Sequence, residues 1–443
     1  MLFYLIIGLS LKKLMFIKNL KEVAKNKERK IILEIIEAGL AAIQPEKIIN
    51  SRVKFNCRKN LLQIDNYQLD LTKIRRIFVF GVGKASFKSV QSLEKILGSR
   101  INDGVVIDTH PKKLKYVRTF QGTHPLPSRN NYLATRELEK MVDQAGKDDL
   151  VIGLITGGGS ALLCDYRVKL TELRKIFIYL LKSGANIEEI NTIRKHFSQI
   201  HGGWLAKRIY PARGLSLIIS DVPSNNLSFI ASGPTYPDKT TLKDARQIIN
   251  QYNLSGIKYL INKMVETPKE KKYFRRIKNI LIGDNRTALQ SMADLARKKR
   301  IKKIEIKPRG LKGEAYQCGS RLIRLISKKK PSTIVLLGGE TGVTVKGSGV
   351  GGRNQELALG AVKEIKPGVI LAAFASDGRD NIELAAGAII DYSIKEKIKQ
   401  INLSPDKFLT NNDSYHFFKQ TNDLIITGPL DSNVSDLAVI YKS

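Results

Sequence analysis

The chain runs to 443 residues with 75 Lys and Arg against 41 Asp and Glu, a formal charge of +34. That length allows two or three domains with cores of their own, and an apolar content of 42% is that of a soluble globular protein rather than a disordered one. Cys57, Cys164 and Cys318 stand alone, which excludes a disulfide framework and a thiolate metal centre and points to a reducing compartment, the cytoplasm.

Residues 1–9 are nearly all apolar but too few to span a bilayer, and no positive charge precedes them, so neither a transmembrane segment nor a signal peptide is expected. Residues 1–14 read as an extension ahead of a start at Met15 or, failing that, as a membrane-surface anchor. Apolar residues at helical spacing predict a helix over 29–43, ended by Pro45, and alternation over 53–64 predicts a short hairpin. The β-branched and aromatic run 75–80 is a strand that stops at Gly81-Val82-Gly83-Lys84-Ala85-Ser86, where a helix begins. A second strand covers 104–107, Gly122-Thr123-His124-Pro125-Leu126-Pro127-Ser128 is a loop stiffened by its prolines, and 131–145 is a helix. The buried strand 149–155 ends in Thr156-Gly157-Gly158-Gly159-Ser160. Helices follow at 171–184 and 187–200, the second carrying Asn191, Arg194, Lys195 and His196. The strand 215–220 leads into Asp221-Val222-Pro223.

The polar, basic and mostly helical stretch 244–272 holds the expected domain boundary, and the strand 277–283 restarts the pattern ahead of Asp284-Asn285-Arg286 and a helix to 299. A strand at 302–306 and a helix at 314–327 precede the strand 333–337, which ends in Gly338-Gly339-Glu340-Thr341. Val343 and Val345 alternate into the glycine-rich 346–352, and a helix opens near Arg353-Asn354-Gln355-Glu356. The strand 369–375 ends in Ser376-Asp377-Gly378-Arg379-Asp380, and the last strands are 424–427 and 437–441. Strands alternating with helices throughout predict an α/β fold of two domains, each with a mostly parallel sheet flanked by helices. The expected division is an extension 1–28, an N-terminal domain 29–262 and a C-terminal domain 263–443.

The chemistry gathers where strands end. A helix N-terminus after a glycine turn favours anions, and Lys84 adds a full charge there. It is neither a Walker A loop, since Phe78 stands where a glycine is needed, nor a dinucleotide fingerprint, since Ser86 replaces the third glycine. Gly157, Gly158 and Gly159 let backbone amides approach a ligand, and the same glycines also read as a tight packing turn. Asp221, Glu340 and Asp377 lie at carboxyl ends of strands, the usual place for a metal or substrate ligand in an open α/β sheet. Glycine, lysine, arginine and carboxylate together are the parts for phosphoryl transfer. The basic residues are spread along the chain, with short clusters at 269–278 and 328–330, and no nucleic-acid motif of known spacing appears. No specific nucleic-acid partner is therefore expected, and the charge reads as a field for anionic substrates.

Taken in order, these motifs resemble the glycerate 2-kinase family, also called class II glycerate kinase or the MOFRL family. The resemblance runs from about Arg29 to the C-terminus. It is carried by the turns at Gly83-Lys84 and 156–162, by Asn191-Thr192-Ile193-Arg194-Lys195-His196, Ser220-Asp221-Val222-Pro223 and Ala231-Ser232-Gly233-Pro234-Thr235. Gly338-Gly339-Glu340-Thr341, Gly351-Gly352-Arg353-Asn354-Gln355-Glu356, Ala385-Ala386-Gly387-Ala388 and Asn411-Asn412-Asp413-Ser414-Tyr415 continue it. The resemblance implies a glycerate kinase domain followed by a MOFRL-type domain, with the active site in the interdomain cleft. It implies transfer of a phosphoryl group from ATP, with Mg²⁺, to the 2-hydroxyl of D-glycerate. The family's catalytic lysine and arginine fall on Lys84 and Arg353. Substrate or nucleotide contacts are expected from Gly83, Ser86, Gly157, Gly158, Gly159, Ser160, Asn285, Glu340 and Asn354, and metal contacts from Asp221 and Asp377. A monomer or homodimer is expected.

The chain also departs from the family. Ser224-Asn225-Asn226 stands where the family has Gly-Asp-Asp, Asn381-Ile382-Glu383-Leu384 where it has Gly-Pro-Thr-Asp, and His201-Gly202-Gly203-Trp204 where it has Lys-Gly-Gly-Arg. Carboxylates are lost, so metal affinity or substrate choice is open to change, and another small hydroxy acid is an alternative substrate. A hydroxypyruvate reductase, a label some relatives carry, is a second alternative that needs a nicotinamide site. A nucleic-acid-binding protein, argued from charge alone, is the third.

Overall fold

The computed structural model describes residues 15–252 and 255–443. The apolar run 1–9 and the extension reading of 1–14 lie outside the described residues. The chain divides into two compact units, a larger one of Ile43–Thr287 with Asp431–Ser435, and a smaller one of Met1–Ala42, Ala288–Leu430 and Asp436–Ser443.

In the larger unit a small antiparallel sheet comes first, formed by β1 (Val53–Asn56), β2 (Leu61–Ile64) and β3 (Tyr67–Asp70). Pro45, read as a helix end, instead opens a helix, Pro45–Arg52; at that position the missing N–H has no intrahelical role. The main sheet comprises β4 (Ile77–Val82), β5 (Ile101–Asp108), β6 (Arg118–Gln121), β7 (Leu150–Ile155), β8 (Arg213–Ile219) and β9 (Ile277–Gly283). Its order is β6-β5-β4-β7-β8-β9 and every pair is parallel. All residues of β4 and β7 are buried, as continuous apolar runs in a two-sided parallel sheet require. Phe78, Phe80, Val105, Leu138, Val151 and Ile218 pack together in the core. The chain builds outward from β4 to β6, returns, and builds the other way from β7 to β9. The reversal makes the carboxyl ends of β4 and β7 the switch point at which such sheets bind ligands.

The strand 277–283, read as opening the second domain, closes this first sheet as β9 beside β8. The compact division accordingly falls at 287, and the helix Lys27–Ala42 belongs with the smaller unit. An apolar strand between two helices suits either sheet, so pattern alone could not assign it.

In the smaller unit β10 (Lys303–Leu311), β11 (Thr333–Gly339), β12 (Val369–Ala375), β13 (Gly387–Asp391), β14 (Leu424–Ile425) and β15 (Asp436–Lys442) form a sheet of order β10-β11-β15-β12-β13-β14. Only β10 and β11 pair in parallel; the other four pairings are antiparallel. The expectation of a mostly parallel sheet fails here for two physical reasons. The last strand enters between β11 and β12 running the opposite way, and β12 reaches β13 without a crossover helix.

Arg29, on the helix Lys27–Ala42, anchors this unit. It is 0% exposed, and its Nε and Nη1 donate to Asp391 Oδ2 and Asp423 Oδ1, each at 2.6 Å. Burial alone would raise the Asp391 carboxyl, but the Arg29 hydrogen bond and charge overcome it and hold the pKa at about 2. Removing one member of a buried pair strands the other in low dielectric. Arg29→Met is therefore expected to lower the unfolding free energy of this unit by about 3–5 kcal/mol, read from its urea midpoint; an unshifted midpoint would refute the anchoring role.

Candidate active site

At the switch point the turns after β4 and β7 interlock. Gly83 has φ +122°, and a Cβ there would lie 2.1 Å from Thr156 Oγ1. The Lys84 amide donates to the Gly157 carbonyl at 2.9 Å and the Ala85 amide to Thr156 Oγ1 at 3.2 Å. The helix Ser86–Leu97 was expected to hold an anionic ligand on its first amides, but a protein carboxylate is already there. Asp108, the last residue of β5, accepts from the Phe87 amide at 2.9 Å and from Ser86 Oγ at 3.2 Å. Ser86 is 0% exposed and its one hydroxyl proton is shared between Asp108 and the Ile107 carbonyl, also at 3.2 Å, so it is a helix-end residue turned inward. Burial raises the Asp108 pKa and these hydrogen bonds oppose the rise.

The triple-glycine turn brings three side chains close. A Cβ on Gly157 would lie 2.2 Å from Asp221 Oδ2, so the half-buried Asp221 carboxylate rests against bare backbone. A Cβ on Gly158 would lie 3.1 Å from His124 Cδ2 and 3.2 Å from Lys84 Cγ. Gly158 is also left-handed, at φ +83°. Lys84 is half-buried with its stem along this turn. The His124 ring keeps a solvent-facing edge but is crowded by protein, and desolvation followed by the Lys84 charge pushes its pKa down to about 4. His124 was absent from the sequence candidates; its signal was a histidine held between a threonine and a proline in a stiff loop.

The remaining candidates of this unit serve the walls. Ser160 Oγ lies 2.9 Å from Ser232 Oγ, which donates to Asn191 Oδ1 at 2.8 Å; Arg194 Nη1 donates to the same Asn191 oxygen at 2.8 Å. A Cβ on Gly159 would meet Ala231 Cβ at 2.7 Å, which makes Gly159 a packing glycine. Asn285 is 5% exposed at the first position of the helix Asn285–Lys298. Beside it Asp284 accepts from Asn225 Nδ2 at 2.6 Å.

The smaller unit gathers a second cluster. Arg353 opens the helix Arg353–Ala361, and its guanidinium donates to Glu340 Oε1 and, through Nη2, to Asp436 Oδ1 at 3.2 Å. Arg353 Nε also lies 2.5 Å from Asp436 Oδ2. Burial alone would lower the Arg353 pKa, but Asp436 and Glu340 outweigh it and raise it, so the charge is permanent. Burial pushes Asp436 up to about 7 against the pull of Arg353. The fork predicted to hold a ligand is thus already held by two carboxylates. Asn354 is 1% exposed and turns inward: its amide N–H and its side chain donate to Asp380 Oδ1 at 3.0 and 3.1 Å. Gln355 does the same to Asp380 Oδ2 at 2.8 and 3.1 Å. Asp377, half-buried after β12, accepts from the Arg379 amide at 3.0 Å. Asp436 and Asp380 were not among the candidates, because a buried partner of an arginine is visible only once the strands are aligned.

Comparison with known proteins follows the same lines. Residues 31–266 match a domain family described only as of unknown function, DUF4147, and residues 333–436 match the MOFRL family. The chain is 36% identical to D-glycerate 2-kinase of Thermotoga maritima, over 93% of this chain and 97% of that one. It is 34% identical to a putative hydroxypyruvate reductase of Agrobacterium vitis, over 82% and 87%. The crystal structure of glycerate kinase from Thermotoga maritima superposes with a TM-score of 0.81 at 34% identity, covering 94% of this chain and 99% of that one. With two matching domain families and relatives above 30% identity along nearly its whole length, the chain belongs to the glycerate 2-kinase (MOFRL) family.

Proposed function

We propose that this chain phosphorylates D-glycerate at the 2-hydroxyl, with ATP as donor and 2-phosphoglycerate as product. The observation that carries the reading is the meeting of Lys84, a triple-glycine turn and Asp221 at the switch point of a parallel sheet, in a chain of this family. Phosphoryl transfer asks a protein for positioning and for charge on the transferring oxygens. Lys84 supplies a point charge from a turn whose backbone is fixed by its bond to Gly157. Arg353 supplies a permanent charge on a guanidinium held by the buried Asp436, and a ligand carboxylate or phosphate would take the place of its exposed partner Glu340.

The residues fit Mg²⁺ as it is usually bound in kinases, through one or two carboxylates together with phosphate oxygens. Asp221 is such a carboxylate, half-buried and lying against Gly157 where a side chain would displace it. Asp377 is a second candidate in the other unit. Among the described residues no group of three or more His, Cys, Asp and Glu forms a cage, so the protein's share of the coordination would be small. Bound there, the ion would neutralise charge on the phosphate oxygens. The finer reading also sets the protein in the cytoplasm as a monomer or homodimer; among the described residues no helix is long and apolar enough to cross a membrane.

The reductase reading draws on the name of the Agrobacterium vitis relative. It needs a nicotinamide site, and the first turn carries Ser86, bonded to Asp108, where the dinucleotide fingerprint requires its third glycine.

Phosphorus NMR of the protein with ATP, Mg²⁺ and D-glycerate is expected to show 2-phosphoglycerate appearing in step with ADP. A 3-phosphoglycerate signal would keep the kinase and move the attacking hydroxyl. No transfer, together with oxidation of NADH by hydroxypyruvate, would favour the reductase. Lys84→Ala is expected to reduce kcat by roughly 100- to 1000-fold with an unchanged melting temperature; near-normal turnover would remove Lys84 from the chemistry. Asp221→Asn is expected to raise the Mg²⁺ concentration needed for half-maximal rate, and an unaltered Mg²⁺ dependence would exclude Asp221 as a ligand.

A further inference from the structure

The chain has five histidines. Four have a ring nitrogen hydrogen-bonded to a protein oxygen: His110 to Thr109, His196 to the Thr192 carbonyl, His201 to Ser198 and His416 to Asp413. His124 is the exception, with no hydrogen bond from its ring to a protein group among the described residues. An imidazole that faces solvent beside a lysine, with both ring nitrogens unused, is equipped to meet a ligand.

The loop holds it there firmly. Asn131, 0% exposed, accepts from the Thr123 amide at 2.9 Å and from Ser128 Oγ at 2.8 Å. The Asn131 side-chain amide donates to the Thr123 and Ala161 carbonyls, both at 2.9 Å. Arg174 Nη2 donates to the Pro127 carbonyl at 2.8 Å. The bond to Ala161 ties the histidine loop to the segment that follows the triple-glycine turn. His124 is therefore preset against Gly158 on the same side as the Lys84 stem.

We propose that His124 is a catalytic residue of the glycerate kinase reaction, its free ring nitrogen receiving the proton of the attacking 2-hydroxyl. The assignment rests on the function proposed above. The step balances as follows: the substrate oxygen forms a bond to the γ-phosphorus, the bond from that phosphorus to the bridging oxygen breaks, and ADP leaves with the electron pair. The hydroxyl proton passes to His124 and from there to solvent. Desolvation, with the Lys84 charge beside it, keeps the ring neutral in the physiological range, so one nitrogen is available to accept. A late proton transfer suits the loose transition state of phosphoryl transfer, in which the hydroxyl is little acidified until the new bond is well formed. The charged group that acts on the ring is Lys84; Arg174 is held away at the Pro127 carbonyl, and Asp221 lies against Gly157, the next residue of the glycine turn.

Two measurements test the assignment. In a nitrogen–proton NMR titration His124 is expected to titrate near 4 in the intact protein and measurably higher in Lys84→Met, which removes the neighbouring charge and leaves the larger effect, desolvation, in place. An unchanged titration in Lys84→Met would refute the juxtaposition. In steady-state kinetics His124→Ala and His124→Gln are both expected to lose about 100-fold or more in kcat, with the KM for ATP and the melting temperature little changed. Wild-type turnover in either variant, from an enzyme that does make 2-phosphoglycerate, overturns the role of His124 alone. A wild-type enzyme that makes no phosphorylated product overturns the proposed function, and the assignment with it.

Discussion

The hydrogen bond from the Lys84 amide to the Gly157 carbonyl is the constraint on which the larger unit's chemistry depends. It exists because β4 and β7 are adjacent parallel strands in register, Val82 opposite Ile155, so that the turns after them emerge side by side. The two turns then exchange groups. The Thr156 amide donates to the Val82 carbonyl at 2.9 Å, and the Thr156 hydroxyl receives the Ala85 amide. Position 83 must lack a side chain, since Thr156 occupies the space. The consequence runs against the usual phosphate loop. In the first turn the Lys84 and Ala85 amides, which would cradle a phosphate, are spent on the neighbouring turn, and the helix end that would attract one is capped by Asp108. What the first turn presents to a ligand is therefore side-chain chemistry, with a lysine, a histidine and an aspartate set around the bare backbone of the triple-glycine turn. Side chains fixed on locked turns keep their geometry without the ligand, which is the condition for electrostatic preorganisation.

The smaller unit solves a related problem by other means. The helix Arg353–Ala361 has its first amides taken by Asp380, just as Asp108 takes those of the helix Ser86–Leu97. In both cases a carboxylate from the end of a strand, or just beyond it, closes the end of a helix, and in both it is desolvated and raised in pKa. The arginine at the start of that second helix is left projecting from a capped and rigid end. Its two carboxylate partners differ in kind. Glu340 is solvent-exposed, whereas Asp436 is 1% exposed and comes from β15. A bond to an exposed carboxylate is weak and exchangeable, whereas one to a buried carboxylate fixes the guanidinium plane.

Much of this was legible in the chain. The strands of the larger sheet announce themselves as apolar runs that stop at glycine, and the turns at Gly83 and 157–159 fall where they were expected. Lys84, Asp221, Arg353 and Glu340 stand at the strand ends or helix starts that the pattern assigned to them. The misses share a cause. Asp108, Asp380 and Asp436 act through partners on other elements, 22, 26 and 83 residues distant, and no local pattern encodes such a pairing. Ser86 and Asn354 were expected as ligand contacts from the family resemblance; their side chains are bonded to the buried carboxylates of Asp108 and Asp380. The mixed sheet was missed because direction is not written in a strand's own residues. It is set by the path of the chain between strands: β12 reaches β13 with no crossover helix, and β13 and β14 pair antiparallel although three helices lie between them. β13 itself is short and opens on Gly387-Ala388, a poor strand signal on propensity alone.

The altered acidic loop after Asp221 has a physical reading that a comparison of motifs does not supply. Asn225 adopts φ 55°, a left-handed conformation that asparagine tolerates well, and its amide donates to Asp284 Oδ2 at 2.6 Å. An aspartate in the same place would set two carboxylates at hydrogen-bonding distance, which requires a cation or a shared proton between them. The neutral amide removes that requirement and supplies a donor. Asp284 keeps its second oxygen for the Thr287 amide, at 3.2 Å, so the carboxylate that ends β9 is fully occupied in holding the loop and the next helix together. The loss of acidic residues here thus costs no buried orphan and needs no ion. It leaves Asp221, one strand away, as the carboxylate of this corner that lies against the glycine turn, where the neighbouring Gly158 meets Lys84 and His124.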